Sequence, residues 1–150
     1  MAHKITVGSG LETFEIEFVD RGVTAEIAFN PSDPDLPKRL YEAQNIIDEK
    51  TKNVKQYEVD EHGVPNIEGA VDYLNEANQI VYDAVDYAFG NKISDVLFQH
   101  CSPYAIVNGE YFIWTFFNAM APVLEDIINK SQKKANENMN KYLSKYMKKR

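Results

Sequence analysis

The chain has 150 residues, which indicates a single domain large enough to bury a sizeable core. Its apolar fraction of 44% and charged fraction of 26% are typical of a soluble globular protein. Cys101 is the only cysteine, which excludes an intrachain disulfide and suits a reducing cytoplasm. The N-terminus lacks the apolar run of a signal peptide. The apolar-rich run of residues 111–124 is too short for a membrane span, so no membrane partner is expected.

Charge is distributed unevenly along the chain. Residues 130–150 hold eight basic residues and one acidic residue, a net charge of +7. Residues 1–129 hold eight basic and 22 acidic residues, a net charge of −14, and the total is −7. This asymmetry is typical of an interaction arm or of a charge-steered partner. The alternative is a solvated helix end, because cations are favourable near a helix C-terminus.

The first 30 residues predict a flexible N-terminus followed by a β-hairpin. Gly8-Ser9-Gly10 indicates a flexible joint, and it is not a phosphate loop because no Lys-Ser/Thr pair follows it. Apolar residues alternate with polar ones in residues 13–19 and largely so in residues 23–29, a period that predicts two half-buried strands. Asp20-Arg21-Gly22 suits the short loop between them.

Residues 31–129 predict a helical body. A helix is expected over residues 34–52, with Ser32 or Asp33 as its cap, and a polar loop over residues 51–66. A second helix is expected over residues 66–89, ending at Gly90. Two apolar stripes are expected to face the core: Leu36, Leu40, Ala43 and Ile47 in the first helix, and Ile67, Ala70, Val71, Leu74, Ala77, Val81, Ala84, Val85 and Ala88 in the second.

Two more helices complete the prediction. A short one covers residues 93–100, and a long one runs from about Glu110 to about Lys145 after the Asn108-Gly109 turn. Pro122 removes a backbone hydrogen bond and is expected to kink the long helix near Asn118. The fold class is therefore α+β and mainly helical, with an N-terminal hairpin and a bundle of about four helices.

No residue pattern predicts a catalytic, cofactor or metal site. His100 and Cys101 are neighbours that point about 100° apart on a helix, and no second ligand pair lies nearby. His62 lies in a polar loop. The pairs Asp83/Asp86 and Asp72/Glu76 have helical spacing, which is common on solvated helix faces. We therefore expect a non-enzymatic protein.

The basic segment 130–150 predicts a helical arm with a thin apolar stripe. The candidate partner-binding residues are Ala135, Met139, Tyr142, Leu143 and Tyr146, with Lys141 and Lys145 beside them. An amphipathic basic helix suits helix-in-groove recognition of a protein partner. Lysines interleaved with tyrosines also suit nucleic acid, but a body of charge −14 disfavours it. The arm is alternatively expected to fold back on its own domain or to reach the acidic face of a neighbouring copy.

The order of elements resembles a known family. An N-terminal hairpin is followed by Phe29-Asn30-Pro31-Ser32-Asp33-Pro34-Asp35-Leu36-Pro37-Lys38-Arg39-Leu40, a helical body and a lysine- and asparagine-rich C-terminal helix. This resembles the small tail assembly chaperones of long-tailed (siphovirus-type) bacteriophages of Gram-positive bacteria. The resemblance covers most of the chain, but no functional residue of the family transfers to it.

The resemblance implies a non-enzymatic chaperone in the cytoplasm of the infected host that is absent from the mature virion. Its implied partners are the tape measure protein and the tail tube protein, and homo-oligomers are expected. A longer frameshifted form is a further hypothesis, with which Lys148-Lys149-Arg150 is compatible. The exposed hairpin edge is a second candidate contact surface. The alternatives are a structural tail completion or connector protein and a small nucleic-acid-binding regulator that uses the basic helix.

Overall fold

The computed structural model describes residues 2–147 and confirms the mainly helical α+β fold. Its elements in chain order are β1 (Glu12–Phe18), β2 (Val23–Phe29), α1 (Leu36–Thr51), α2 (Ile67–Phe89), α3 (Ser94–Leu97), β3 (Ile106–Val107), β4 (Glu110–Tyr111) and α4 (Phe112–Met147). Within the described residues, no helix is both long and apolar enough to cross a membrane.

The N-terminal hairpin forms as its alternation predicts. Strands β1 and β2 pair antiparallel, with Glu12 opposite Phe29 and Phe18 opposite Val23. The turn closes when the Gly22 amide donates to the Phe18 carbonyl at 3.0 Å, and Gly22 has a φ of +63°. Phe14 stacks on Phe29 with ring centroids 4.2 Å apart. One face of the hairpin therefore packs on the helical body while the other carries the polar side chains.

Helix α1 buries the stripe that its spacing predicts. Leu36, Leu40, Ala43 and Ile47 are each no more than 2% exposed. The predicted cap is wrong in detail, because α1 begins at Leu36 and its N-cap is Asp35, without a side-chain capping bond. Asp33 lies in the loop before the helix, and its Oδ1 accepts a hydrogen bond from the Asp35 amide at 2.9 Å.

Helix α2 is buried along only its second half. It begins at Asn66, whose Oδ1 accepts from the Gly69 amide at 3.1 Å, and ends at Gly90, which has a φ of +64°. The part from Ala77 to Phe89 packs on the core, as predicted. The predicted inward stripe is wrong over the first half, where several of its apolar residues face solvent. Those clearly exposed are Ile67, Val71 and Leu74.

The connection between α2 and α4 contains a shorter helix than predicted and, in addition, two short strands. Helix α3 covers only Ser94–Leu97. Asn108 and Gly109, with φ values of +51° and +84°, form the turn of a small hairpin in which Val107 pairs with Glu110. Positive φ at both central residues is the geometry that an Asn-Gly pair favours in a two-residue hairpin. Helix α4 consequently starts at Phe112.

One continuous hydrophobic core holds the hairpin, the four helices and their connections together. The first part of α4 supplies its centre, with Ile113 fully buried and Phe112, Phe116 and Phe117 nearly so. Phe116 meets Phe89 of α2 with ring centroids 6.0 Å apart. Pro122 lies within α4, and the kink expected there stays a prediction.

Candidate docking surface

The second half of α4 leaves the body of the protein. Ile127 is its last buried residue, at 1% exposed, and every residue from 128 to 146 is exposed. We call residues 128–147 the arm. At a rise of about 1.5 Å per residue, the arm is a helix about 30 Å long. The expectation that this segment folds back on its own domain is therefore wrong for the described residues.

The arm carries the predicted apolar stripe on one face. Met139, Tyr142, Leu143 and Tyr146 follow one another at steps of three, one and three residues, which places them together on a helix. Their exposed fractions are 62%, 68%, 48% and 56%, and Ala135 is exposed one turn earlier. The apolar members of the predicted partner-binding set therefore lie on one exposed side of the arm.

Lysines form a row on another side of the arm. Lys134, Lys141 and Lys145 are exposed and are separated by seven and four residues, so they share one side of the helix, where Lys145 lies next to Tyr142. Lys130, at the base of the arm, is 2.9 Å from Asp126, and this hydrogen-bonded carboxylate raises the pKa of the lysine. Lys148, Lys149 and Arg150, together with the frameshift hypothesis, lie outside the described residues.

A second exposed apolar surface lies on α2, and sequence reasoning missed it. Ile67, Val71 and Leu74 are 74%, 49% and 48% exposed and lie on one side of the helix. Three exposed acids at steps of four residues lie on the other side of this part of the helix: Glu68, Asp72 and Glu76. The periodicity was visible in the sequence, but it does not tell a core-facing stripe from an exposed one.

Asp86 has a structural role that its place on the predicted polar face does not reveal. Its Oδ1 accepts from the amides of Ile93 and Ser94 at 2.9 and 2.8 Å, and its Oδ2 accepts from the Ser94 hydroxyl at 2.8 Å. It therefore ties the end of α2 to the start of α3. Asp83 instead accepts from Gln79 at the surface. The two carboxylates therefore accept hydrogen bonds from different groups.

The remaining candidate groups have ordinary environments. His62 is exposed, with Nε2 3.5 Å from Glu61. The ring of His100 packs 5.8 Å from that of Phe18, and burial raises the pKa of the Cys101 thiol, which lowers its reactivity. Within residues 2–147, no group of three or more His, Cys, Asp or Glu side chains is placed to hold a metal ion.

The hairpin edge is partly occupied. The carbonyl of Ala28 in β2 accepts from the side-chain amide of Asn91 at 3.2 Å, in addition to the pairing of Ala28 with Thr13 of β1. Strands β1 and β2 form a two-stranded sheet to which no third strand is added within the described residues. The arm carries four large exposed apolar side chains, those of Met139, Tyr142, Leu143 and Tyr146, and we take it as the candidate docking surface.

Comparison of the chain with models of protein families, with curated proteins and with solved structures finds no match.

Proposed function

We propose that this protein is a non-enzymatic assembly chaperone for the tail of a long-tailed bacteriophage. In this role its arm binds the tape measure protein and the complex recruits tail tube subunits. The observation that supports the proposal is a helix about 30 Å long that carries an exposed apolar stripe and a separate row of exposed lysines. The resemblance of the element order to tail assembly chaperones supplies the identity of the partner.

The physical basis is that an exposed apolar stripe is unfavourable in water unless a partner covers it. A helical partner covers such a stripe by laying its own apolar face along it, and Lys145, next to Tyr142, would then meet an acidic side chain of the partner. The tape measure protein of a long tail is itself long and helical, so it would offer many such sites in succession. The chaperone would act in the host cytoplasm and be absent from the virion.

The test is co-expression of the protein with the tape measure protein of the same genome, followed by pull-down. Leu143→Asp places a charge in the stripe and is expected to abolish capture. Ser144→Asp adds the same charge at an exposed position on the side of the arm that faces away from the stripe, and is the matched control. A chain ending at residue 129 is expected to lose capture as well.

Failure of the intact protein to capture the tape measure protein would refute the proposal. Equal capture by Leu143→Asp and by the intact protein would move the site off the arm. Mass spectrometry of mature particles distinguishes the structural alternative, because a tail completion or connector protein remains in the virion and a chaperone does not.

A further inference from the structure

An open cleft of about 290 Å³ lies where the end of α1 meets the β3–β4 connection and the start of α4. Three aromatic side chains line it, those of Tyr104, Tyr111 and Trp114, and the end of α1 contributes Asp48 and Thr51. We propose that this cleft binds a quaternary ammonium group, with its methyl groups against the aromatic rings and the Asp48 carboxylate beside it. The cleft contains no residue of the arm, so the inference does not depend on the proposed function.

The backbone around the small hairpin positions the two tyrosines of the cleft. The Phe112 amide donates to the Ala105 carbonyl at 2.8 Å, which brings the two ends of this connection together. Tyr104 and Tyr111 consequently lie side by side, with ring centroids 5.2 Å apart and ring planes at 85°. The Tyr104 hydroxyl lies 3.5 Å from Oγ1 of Thr51, so its ring stands against the last turn of α1. Two rings at right angles can contact one bound group from two directions.

Trp114 completes the aromatic lining from the first turn of α4. Its ring packs on that of Phe117, with centroids 5.6 Å apart, and Phe117 is 5% exposed. Trp114 itself is only half-buried, and Tyr111 is 44% exposed. The core therefore holds the tryptophan in place while part of its ring lines the cleft. Among aromatic side chains, tryptophan attracts a cation over its face most strongly, because of the charge distribution of its π system.

The charges at the cleft favour a cation. Asp48 makes no ion pair with any other described residue, so its negative charge is available to a ligand. The basic residue of the lining is Lys52, whose Nζ lies 3.6 Å from a carboxylate oxygen of Glu49, which offsets its charge. Helix α1 ends at Thr51, and the negative end of its macrodipole also favours a cation there.

The Asp48 carboxylate acts on the aromatic lining as well. Burial raises the pKa of Tyr104, and the negative charge of Asp48 adds to the rise. Tyr104 is therefore a neutral phenol near pH 7, and its negative counterpart, which would be costly beside Asp48, does not form. The electrostatic environment that disfavours a second negative charge at this point favours a positive one.

The lining also selects among cations. It is mainly apolar, and a primary ammonium group brings three N–H donors that each need an acceptor on leaving water. A quaternary ammonium group carries its charge on methyl groups without N–H donors, so it enters an apolar aromatic cleft at a lower desolvation cost. Its recognition by aromatic rings is an established use of the cation–π interaction. The volume lies near the lower end of the range of about 300–1,000 Å³ for ligand pockets, which suits a small group.

The first test is titration of the full chain with choline chloride, followed by the fluorescence and the indole N–H resonance of Trp114. Because Trp114 is the only tryptophan in the chain, both signals report on the cleft. Choline is expected to bind with a Kd of about 1 mM or below. Titration with NaCl controls for ionic strength. The matched neutral ligand is 3,3-dimethylbutan-1-ol, which has carbon in place of the nitrogen of choline, and it is expected to bind about fivefold more weakly or worse.

Three outcomes of this titration would overturn the inference. One is equal binding of choline and its neutral analogue, because apolar contact alone would then explain the affinity. Another is no change in either signal up to about 20 mM choline, well above the expected Kd. The third is a response to glucose without a response to choline, which would make the cleft a sugar site.

The second test uses variants at exposed or rim positions, each checked for folding by circular dichroism. Asp48→Asn is expected to weaken choline binding about threefold, and Lys52→Gln to tighten it about twofold, because only a cation responds to the two changes with opposite signs. Tyr111→Leu keeps an apolar side chain but removes the ring, and is expected to weaken binding about fivefold. Asp83→Asn and Tyr41→Leu make the same changes at exposed positions outside the cleft and are the matched controls.

Unchanged binding in both Asp48→Asn and Tyr111→Leu would overturn the inference, and so would weaker binding in Lys52→Gln. The source of the group is identified by comparing choline with a short peptide that carries trimethyllysine. Tighter binding of the peptide supports the inference and assigns the ligand to a modified protein. Binding of choline at least as tight as that of the peptide supports it and assigns the ligand to a free small molecule.

Discussion

Arg39 of α1 holds Asp33 of the preceding loop in an ion pair, with Nη2 2.6 Å from Oδ2. The same guanidinium donates through Nε to the carbonyl of Ala88 at 2.8 Å. Ala88 is fully buried near the end of α2. One side chain therefore joins the start of α1, the loop before it and the end of α2. Both helices contribute buried residues to the hydrophobic core.

This ion pair predicts a pH-dependent part of the stability. The hydrogen bond from Arg39 holds the pKa of Asp33 below its ordinary value of 3.8. A lowered folded-state pKa stabilises the fold above about pH 4, and this stabilisation is lost as the pH falls through the folded-state pKa. Asp33→Asn is expected to lower the free energy of unfolding by about 1 kcal/mol at pH 7.

Urea unfolding at pH 7 and at pH 3 checks this expectation, because the difference between Asp33→Asn and the intact protein should shrink at pH 3. Lys38→Ala is the control, since Lys38 is exposed and its Nζ lies 3.9 Å from Glu42. Its effect is expected to stay within about 0.5 kcal/mol. A difference for Asp33→Asn that is equal at both pH values would contradict the role of the carboxylate charge.

Asp86 is expected to matter more than its place on a polar helix face indicates. Asp86→Ala leaves the amides of Ile93 and Ser94 without their acceptor, and both residues are at most 3% exposed. Unsatisfied buried donors predict a loss of about 2–3 kcal/mol in the free energy of unfolding. Asp83→Ala, one turn earlier, is the matched control with a loss below about 0.5 kcal/mol. Equal losses in the two variants would rule out this structural role of Asp86.

The Asn108-Gly109 turn predicts a local backbone effect. Gly109 has a φ of +84°, which an alanine adopts only with strain. Gly109→Ala is therefore expected to destabilise the protein by about 1 kcal/mol. Gly8→Ala is the control, because Gly8 has no positive φ and nothing lies within 4 Å of a Cβ added there. Thermal unfolding compares the two variants, and an unchanged midpoint for Gly109→Ala would contradict the strain.

The arm is expected to be dispensable for folding. Residues 130–146 are all exposed, so among the residues whose burial is described a chain ending at residue 129 loses no buried side chain. Its thermal midpoint should stay within a few degrees of that of the intact protein, while its helical circular dichroism signal falls. A large drop in the midpoint would show that the arm stabilises the body.

Hydrogen exchange gives an independent measure of the arm. In dilute protein, amides beyond about Ser131 are expected to exchange fast, because a lone amphipathic helix is marginal in water. Protection of the same amides should rise with protein concentration if the arm docks on a second copy. Strong protection at every concentration would show that the arm packs within one chain.

Much of the fold is readable from local pattern. Alternation in residues 13–29 predicts the hairpin, and the steps of four, three and four through Leu36, Leu40, Ala43 and Ile47 predict the buried side of α1. The arm stripe is also readable, because Met139, Tyr142, Leu143 and Tyr146 repeat at helical spacing. These features depend on residues close in sequence, whose relative positions the helix or strand period sets.

Tertiary structure alone decides which apolar stripes are covered. Ile67, Val71 and Leu74 continue the stripe of Ala77 and Val81 without a break, yet the first three face solvent. In α4 the apolar residues likewise continue along the helix, but Ile127 is the last buried residue among those described. Periodicity identifies the apolar side of a helix. That side is buried only where another helix or strand packs against it, and the chain topology decides where those elements lie. The sequence by itself thus determined the elements and the charged arm, and the fold decided that the arm and the first half of α2 both stand free of the core.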